Sequence, residues 1–248
     1  MSLYPADPSR LAAALSGACS FTGRTLPEPL PAEPMGLVST WLADAAATKT
    51  QPNPNGMTLA TIDPDGSVSA RVVLCRGLDV ADGYLVFYTN RASRKGRALL
   101  SHPRACAVFW WDAMERQVRI EGPVVPSPES ESDAYFAARP VLSRVAAWAS
   151  EQSSPVASRA ALEAKNREME ARFGVRPGMS EAELARLPVP RPPHWGGYRL
   201  WAEKVELWLG HPARLHDRGV WSRALRATTR AGVPVFDGGV WSAGRVQP

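Results

Sequence analysis

The sequence has few cysteines and no long apolar segment, and each shortage argues against particular classes of protein. Its 248 residues include three cysteines, Cys19, Cys75 and Cys106, without a C-x-x-C pair. Such a set disfavours a disulfide framework and a structural zinc site, so we expect no metal. No apolar run approaches the roughly 18 to 20 residues that cross a bilayer, and the start lacks the layout of a secretory signal. Together these features predict a reduced, cytoplasmic protein without membrane contact.

Lysine is also scarce, since few of the 29 basic residues are lysine. Arginine favours planar, bidentate recognition of phosphate or carboxylate. The net charge is a modest +5, and the basic residues are scattered along the chain instead of forming the stripe of a duplex binder. The composition therefore predicts defined anion sites and disfavours a nucleic-acid partner.

The chain divides into an arm and one domain. Residues 1–33 are rich in proline and lack periodicity, which predicts a flexible N-terminal arm, and residues 34–248 form the domain. After Pro34, apolar residues at Val38, Trp41, Leu42 and Ala45 follow helical spacing. They predict an amphipathic helix that ends near Thr48.

The middle of the chain is typical of β structure. MTLATID and SVSARVVLCRG flank the turn DPDG and predict a hairpin, and YLVFYTN, ACAVFWW and RQVRIEGPVV predict further strands. SRKGRALLSH predicts a short helix with Ser93 as N-cap. Its basic first turn opposes the helix dipole, and an anionic ligand would remove that conflict.

The C-terminal half predicts helices followed by more strands. Residues 127–174 are helical in three pieces that Pro140 and Pro155 separate, and residues 175–194 are a proline-rich connector. WGGYRLWAEKVELWLG and RLHDRGVWSRAL return to strand-like alternation. The last segment predicts a hairpin around Asp237-Gly238-Gly239. The fold class is mainly β with peripheral helices, in a barrel or sandwich.

A first group of donors is typical of a phosphate site. Arg71, Tyr88, Thr89, Arg94 and Lys95 supply guanidinium, hydroxyl and helix N-terminal donors for a phosphate monoester. Solvated surface residues explain the same pattern about equally well.

A regular strand turns residues five positions apart to opposite faces. The spacing of Arg71 and Arg76 therefore predicts that they serve different anions.

A second group of donors lies further along the chain. Tyr135, Arg139 and Ser143 follow four-residue spacing and make a second anion cup on one helix face, although an ordinary surface triplet explains the spacing too. The amide of Gln117 could meet the edge of a heterocycle, which alone is a weak signal.

A third group surrounds a histidine. Arg214, His216 and Arg218 alternate, which predicts two cations beside a titratable imidazole on one face of an extended segment. A lone histidine is more often structural than catalytic. The flanking arginines make His216 the best of the four histidines as a functional candidate.

Eight segments together resemble the pyridoxine/pyridoxamine 5'-phosphate oxidase family. The resemblance covers about residues 35–248, and the segments are, in order, RVVLCR, FYTNRASRK, ERQVRIEG, YFAARPVLS, SEQSS, WGGYRL, ELWLG and RLHDR. The resemblance implies an FMN-binding split β-barrel that works as a homodimer, with flavin between the subunits. It also implies the last step of pyridoxal 5'-phosphate synthesis, with dioxygen as electron acceptor.

The resemblance also implies roles for individual residues. The implied FMN contacts are Arg71, Val72, Val73, Leu74, Cys75, Tyr88, Thr89, Arg94, Lys95, Gln117, Gln152, Ser153, Trp208 and Arg218. The implied contacts of the phosphorylated substrate are Arg76, Tyr135, Arg139, Ser143, Arg214, Leu215 and His216. Arg214 and His216 would border the reacting ring and are the implied catalytic residues.

The sequence departs from the family pattern at three places, and alternatives stay open. Arg76 stands where family members usually have lysine, the segment from Gln51 to Gly56 lacks a common acidic residue, and the tail between Arg218 and Trp241 is long. A related oxidase of another ring system, such as a phenazine precursor, is one alternative. A noncatalytic flavin or pyridoxal phosphate binding protein is another.

Overall fold

The computed structural model describes residues 21–49 and 51–248, in which short helices surround a curled antiparallel sheet. The strands are β1 Gly56–Ile62, β2 Val68–Leu74, β3 Gly77–Asp79, β4 Tyr84–Asn90, β5 Arg104–Trp111, β6 Arg116–Pro126, β7 Trp195–Trp201, β8 Lys204–Leu209, β9 Asp217–Ser222, β10 Leu225–Arg230, β11 Val233–Gly238 and β12 Ser242–Arg245. The helices are α1 Met35–Thr48, α2 Arg94–Ser101, α3 Glu129–Ala137, α4 Val141–Ala149, α5 Arg159–Arg172 and α6 Glu181–Ala185, with 3₁₀ turns at Asp112–Met114 and Pro212–Arg214.

Strand β6 joins the two halves of the sheet. Its first part pairs with β5 and β8 in the order β12-β9-β8-β6-β5-β1-β2, and its last residues pair with β7, which continues to β4 and β3. The strand changes partners at Gly122, where a Cβ would lie 1.9 Å from the carbonyl oxygen of Trp201. Only glycine allows this close approach. The result is a split barrel, which confirms the predicted fold class.

One face of the sheet and helix α1 form the main core. Alternate residues of β1, β5 and β6, such as Leu59, Phe109 and Ile120, are buried. Helix α1 contributes Val38 and Trp41 to the same cluster, at the spacing that the sequence predicts. The predicted helix after Pro34 is confirmed.

The described part of the N-terminal arm lies against the barrel. Leu26 is buried in the main core, and its N–H donates a 2.7 Å hydrogen bond to Asp217. The indole of Trp221 donates to the carbonyl of Pro31 at 2.8 Å. Residues 21–33 therefore contact the barrel at these points, and the predicted flexibility of the arm stays a prediction. Residues 1–20 lie outside the described part.

The C-terminal hairpin differs from the prediction. Strand β11 pairs with β10 across Ala231 and Gly232, which have φ of 50° and 78°, and β12 pairs with β9. Two successive residues with positive φ suit a tight hairpin turn. The predicted turn around Asp237 is wrong, because that carboxylate instead binds Arg226 and Arg230 across the hairpin.

The helical segments follow the sequence with one addition. Ser93 caps α2 by accepting from the N–H of Gly96, and α3, α4 and α5 occupy residues 127–174 as predicted. The connector contains the short helix α6, in which Ser180 and Glu183 form a capping box. No helix in the described residues is long and apolar enough to cross a bilayer.

Candidate functional site

A cavity of about 790 Å³ brings both predicted anion cups together. It lies between β2, the end of β4, the first turn of α2, and helices α3 and α4. The sequence-predicted residues that line it are Arg71, Val72, Val73, Leu74, Arg76, Tyr88, Thr89, Arg94, Lys95, Tyr135, Arg139, Ser143, Gln152 and Ser153. The cavity is large enough for a drug-sized ligand.

Two cations at one end of the cavity are held by neutral groups. Arg71 donates to the carbonyl of Leu59 at 3.0 Å and to hydroxyls of Thr61 and Ser69 at 2.8 and 2.6 Å. Lys95 is buried, and its Nζ donates to the Thr89 hydroxyl at 3.1 Å and to Gln152 Oε1 at 2.9 Å. Burial, together with the charge of Arg71, lowers the pKa of Lys95 to about 8. An anion beside these groups would stabilise the charged amine.

Arg94 is less available than its neighbour. Its guanidinium is half-exposed and donates to Asp63 Oδ2 at 2.5 and 2.8 Å. The hydrogen bonds from Arg94 lower the pKa of Asp63, which also accepts from Ser69. Part of the charge of Arg94 is therefore satisfied within the protein. Lys95 has no acidic partner among the described residues, so its charge is more available to an anionic ligand than that of Arg94.

The opposite end of the cavity is built from aromatic rings and Arg139. Tyr135 stacks on Tyr88 with centroids 4.0 Å apart, and the guanidinium of Arg139 lies 4.9 Å from the ring of Trp195. Nη1 of Arg139 is buried and has no hydrogen-bond partner in the described residues. Since arginine stays protonated in proteins, this orphaned donor fits an anionic ligand.

Arg71 and Arg76 line the same cavity, so the prediction that their side chains point to opposite faces is wrong, while the prediction that they serve different anions stays a prediction. Strand β2 ends at Leu74, and the alternation that the prediction uses stops there. Arg76 then lies 5.8 Å from the ring of Tyr135. Cys75 does not line the cavity; it is buried behind the wall, its thiol donates to Gly77 at 3.3 Å, and burial raises its pKa.

Gln117, Trp208 and Arg218 lie elsewhere, in one row across the sheet. Direct cross-strand pairs join Trp110 to Gln117, Gln117 to Trp208, and Trp208 to Arg218. Directly paired residues project from the same face, here the face opposite the core. Trp110 is 43% exposed, and its ring lies 5.6 Å from that of Trp208.

His216 lies beside this row, and Arg214 is in a different conformation from the one predicted. Arg214 ends a 3₁₀ turn with φ of 61°, so the extended segment begins only after His216 and the predicted alternation is wrong for Arg214. Leu215, between them, is exposed. The ring of His216 lies 4.6 Å from Trp208, and burial and then the charge of Arg214 lower its pKa.

Two residues near these groups escape sequence analysis. The ring of Phe21 lies edge-on to His216 at 5.3 Å, and Phe21 belongs to the 1–33 segment, in which the sequence shows no periodicity. Trp195 lines the cavity at the start of β7. In the sequence it resembles any aromatic residue of a strand. The two glycines that follow Trp195 could have indicated the site, since glycine within a strand often marks a place where a ligand or another backbone comes close.

Comparison with known proteins identifies the family. Residues 43–173 match the family described as pyridoxamine 5'-phosphate oxidase, and residues 195–248 match the pyridoxine 5'-phosphate oxidase C-terminal dimerisation region. The chain is 51% identical over 185 residues to a pyridoxine/pyridoxamine 5'-phosphate oxidase of Paraburkholderia phymatum, covering 75% of this chain and 80% of that one. It is 50% identical to the enzyme of that name from Bordetella avium, over 79% and 86% of the two chains.

Solved structures agree with this result. PhzG from Burkholderia lata 383, in complex with tetrahydrophenazine-1-carboxylic acid, is 32% identical with a TM-score of 0.71, over 88% of this chain and 94% of that one. A pyridoxamine 5'-phosphate oxidase-related, FMN binding protein from Nostoc punctiforme shares the fold at 16% identity, with a TM-score of 0.61, over 88% and 99%. On the strength of both family matches and about 50% identity to curated relatives, the chain belongs to the pyridoxamine 5'-phosphate oxidase family of flavin oxidoreductases.

Proposed function

We propose that this protein oxidises pyridoxine 5'-phosphate or pyridoxamine 5'-phosphate to pyridoxal 5'-phosphate in the cytoplasm, with FMN as cofactor and dioxygen as electron acceptor. One observation supports the proposal most directly. A single cavity has a cationic cluster at each end, Arg71 with Lys95 at one and Arg76 with Arg139 at the other. Two phosphorylated molecules placed side by side, a nucleotide and a vitamer, match that arrangement.

The first cluster fits the phosphate of FMN. Lys95 and Arg71 have neutral hydrogen-bond acceptors, so their charges are available, and Thr89 adds a hydroxyl. The N-terminus of α2 adds backbone donors and a favourable dipole. Bound there, the flavin would supply the two-electron acceptor that dioxygen later reoxidises. The protein's own part is to hold the cofactor by its phosphate and to keep the ring beside the second cluster.

The second cluster fits the phosphate of the substrate. Arg139 has an orphaned buried donor, and Tyr135 and Ser143 carry hydroxyls that line the same wall. Binding energy from a phosphate remote from the reacting carbon can fix the orientation of the ring. Arg76 keeps the positive charge of the lysine that family members usually have, with a wider set of donors.

We also propose that a homodimer completes the cavity. The row from Trp110 to Arg218, with Arg214 and His216 beside it, faces away from the core of its own subunit. Apolar side chains exposed on the described surface include Val72 at 70% and Leu215 at 66%. The match to a C-terminal dimerisation region covers Trp208 to Arg218. In the dimer, these groups would reach the partner's cavity, where Gln117 and Trp208 would contact the flavin.

The catalytic roles of Arg214 and His216 follow from that placement. The lowered pKa of His216 leaves its imidazole neutral at pH 7, so it can donate or accept a hydrogen bond at the reacting substituent. Arg214 is held at a positive φ, a conformation that costs energy in a residue other than glycine and often marks a functional position. We propose that Arg214 covers the ring and His216 orients the group that is oxidised.

A second candidate function is oxidation of a phenazine precursor. It is favoured by the similarity to PhzG, whose structure contains a tetrahydrophenazine carboxylic acid. A tricyclic ring that carries a carboxylate and no phosphate does not require a second cationic cluster for a phosphate. The presence of Arg76, Tyr135, Arg139 and Ser143 around this cavity therefore favours the phosphorylated vitamer.

Substrate-dependent bleaching of the flavin tests the proposal. Purified protein should be yellow, and pyridoxamine 5'-phosphate should bleach the flavin absorbance under anaerobic conditions, with aldehyde formed in air. Pyridoxamine without phosphate is the matched control, and we expect at least tenfold higher concentrations to be needed because a charge-assisted phosphate contact is worth about 1.5 to 3 kcal/mol. Bleaching by a dihydrophenazine carboxylic acid alone would support the second candidate. A yellow protein bleached by none of these compounds would be a noncatalytic binder.

A further inference from the structure

We propose that Trp195 is a positioning residue that holds Arg139 and Tyr135 in place as the receptor for the substrate phosphate. This inference rests on the proposed function, because the anion in question is the phosphate of the vitamer. Trp195 lines the cavity and is itself buried. Neither the sequence pattern nor the charge of the site assigns it a role.

The aromatic rings behind the receptor form one parallel stack. The planes of Tyr88, Tyr135 and Trp195 lie within 8° of one another, with centroids 4.0 Å apart for the tyrosine pair and 5.4 and 6.1 Å from Trp195. Phe136 meets the edge of Trp195 at 5.0 Å. Since Tyr135 and Phe136 are neighbours on α3, Trp195 contacts the helix through two successive side chains. Movement of its ring would therefore move Tyr135.

Arg139 depends on the same ring for its environment. Its guanidinium lies 4.9 Å from the Trp195 centroid and 5.5 Å from that of Phe136. Burial lowers its pKa, and the titratable groups that act on it are Tyr135 and Arg76, with no carboxylate among the described residues. A partly buried cation with no anionic partner is costly, and the face of tryptophan is the aromatic surface that best offsets this cost. Trp195 thus offsets part of the cost of burying this cation and orients its guanidinium, with Nη1 free for a ligand.

The backbone beside Trp195 is built for this arrangement. Arg191 Nη1 donates to the carbonyl of Trp195 at 2.6 Å, which fixes the start of β7. Two residues on, Gly197 is paired directly with Tyr88, and a Cβ there would lie 2.7 Å from Cε1 of the Tyr88 ring. The absence of a side chain at Gly197 lets Tyr88 lie flat in the stack. Trp195 and Gly197 therefore act on the receptor from one short segment.

Kinetics and anion binding of the FMN-loaded protein test the proposal. The variants are Trp195→Met, which removes the ring but keeps a long apolar side chain, and Trp195→Phe, which keeps a weaker ring. Trp148→Met is the matched control, because Trp148 also lies under an arginine, Arg172 at 5.0 Å, but does not line the cavity. The readouts are kcat and KM with pyridoxine 5'-phosphate, the Kd of pyridoxal 5'-phosphate and of inorganic phosphate by calorimetry, and FMN content.

We expect Trp195→Met to raise KM and both Kd values by at least about tenfold, with kcat within threefold and FMN content unchanged. Trp195→Phe should raise them by about two- to threefold, and Trp148→Met should leave them unchanged. Values for both Trp195 variants equal to the wild type, or an equal loss in Trp148→Met, would overturn the proposal. If Trp195→Met does not fold, Trp195→Phe against Trp148→Met decides the question alone.

The Kd measurements distinguish failure of this proposal from failure of the proposed function. A wild-type protein that binds both phosphate compounds but does not oxidise the vitamer would contradict the function, while the Kd values of the variants would still decide the role of Trp195. A wild-type protein that binds neither compound would overturn the positioning role as well. Loss of FMN together with loss of phosphate affinity in Trp195→Met would indicate a general structural effect and would also overturn it.

Discussion

Proton uptake on FMN binding should report the charge state of Lys95. In the free protein burial lowers the pKa of Lys95 from 10.5 to about 8. A bound phosphate dianion favours the charged amine and should return its pKa toward the ordinary value. With these two values, binding takes up about 0.2 proton at pH 7.5 and about 0.9 proton at pH 9. The affinity for FMN should fall about eightfold over the same interval.

Lys95 also makes the stability of the free protein depend on pH, in the opposite direction to the FMN affinity. Because the pKa of Lys95 is lower in the folded than in the unfolded chain, the unfolded chain binds more protons between about pH 8 and 10.5. The contribution of Lys95 to stability therefore rises with pH in this window when no anion is bound. Bound FMN should abolish the rise. Burial also raises the pKa of Cys75 and raises that of Tyr88 to about 12, so both groups make stability fall with pH in the same window. The difference between the free and the FMN-bound protein therefore isolates the contribution of Lys95.

Calorimetry in two buffers of different ionisation enthalpy measures this uptake. FMN would be titrated into apoprotein at pH 7.5 and pH 9, with Lys95→Arg as the control, because arginine keeps the charge and does not titrate in this range. The control should show no increase in uptake between the two pH values. An equal increase in Lys95→Arg and wild type, or no increase in the wild type, would refute the role given to Lys95.

Three further variants test other parts of the site. Asp63→Asn should raise FMN affinity about two- to fivefold in equilibrium titration, because it frees Arg94 from its carboxylate partner; a fall in affinity would contradict this. Gly197→Ala should raise the KM for the vitamer more than it lowers FMN content, because its Cβ would meet the Tyr88 ring at 2.7 Å, and an unchanged KM would be the contrary result. Val72→Asp should shift the protein toward monomer in sedimentation experiments and lower FMN occupancy, since Val72 is 70% exposed; an intact dimer would count against that interface.

The sequence predicts the strands well because their signals are local. Alternation and turn residues are enough to locate the hairpin of β1 and β2 and the strands that follow, and Ser93 alone marks the start of α2. The C-terminal hairpin is harder, because Asp237-Gly238-Gly239 has turn chemistry but Asp237 is held by arginines across the pair. Such ion pairs form only after the strands have met.

The sequence predicts the site less completely than the strands, because the positions of the site residues depend on where strands end and on which helices pack against them. Residue types and spacing predict Arg71, Lys95 and Arg139 as anion ligands, and the structure places all three around one cavity. The shared location of Arg71 and Arg76 depends on the end of β2 at Leu74, which alternation does not reveal. The place of Trp195 depends on contacts with α3, which is about 60 residues away in sequence.

Lys95 and Arg139 offset the cost of removing a cation from water in different ways, so the affinity for each phosphate should depend differently on pH. Lys95 can relieve the cost of burial by losing its proton, and its pKa is lowered to about 8. Arg139 stays protonated, and the faces of Trp195 and Phe136 offset its burial instead. From pH 7.5 to 9, the affinity for FMN should therefore fall while the Kd of pyridoxal 5'-phosphate for the FMN-loaded protein changes less than twofold. A parallel fall in both would show that one titrating group serves both phosphates, and the division of the cavity into two independent receptors would then be wrong.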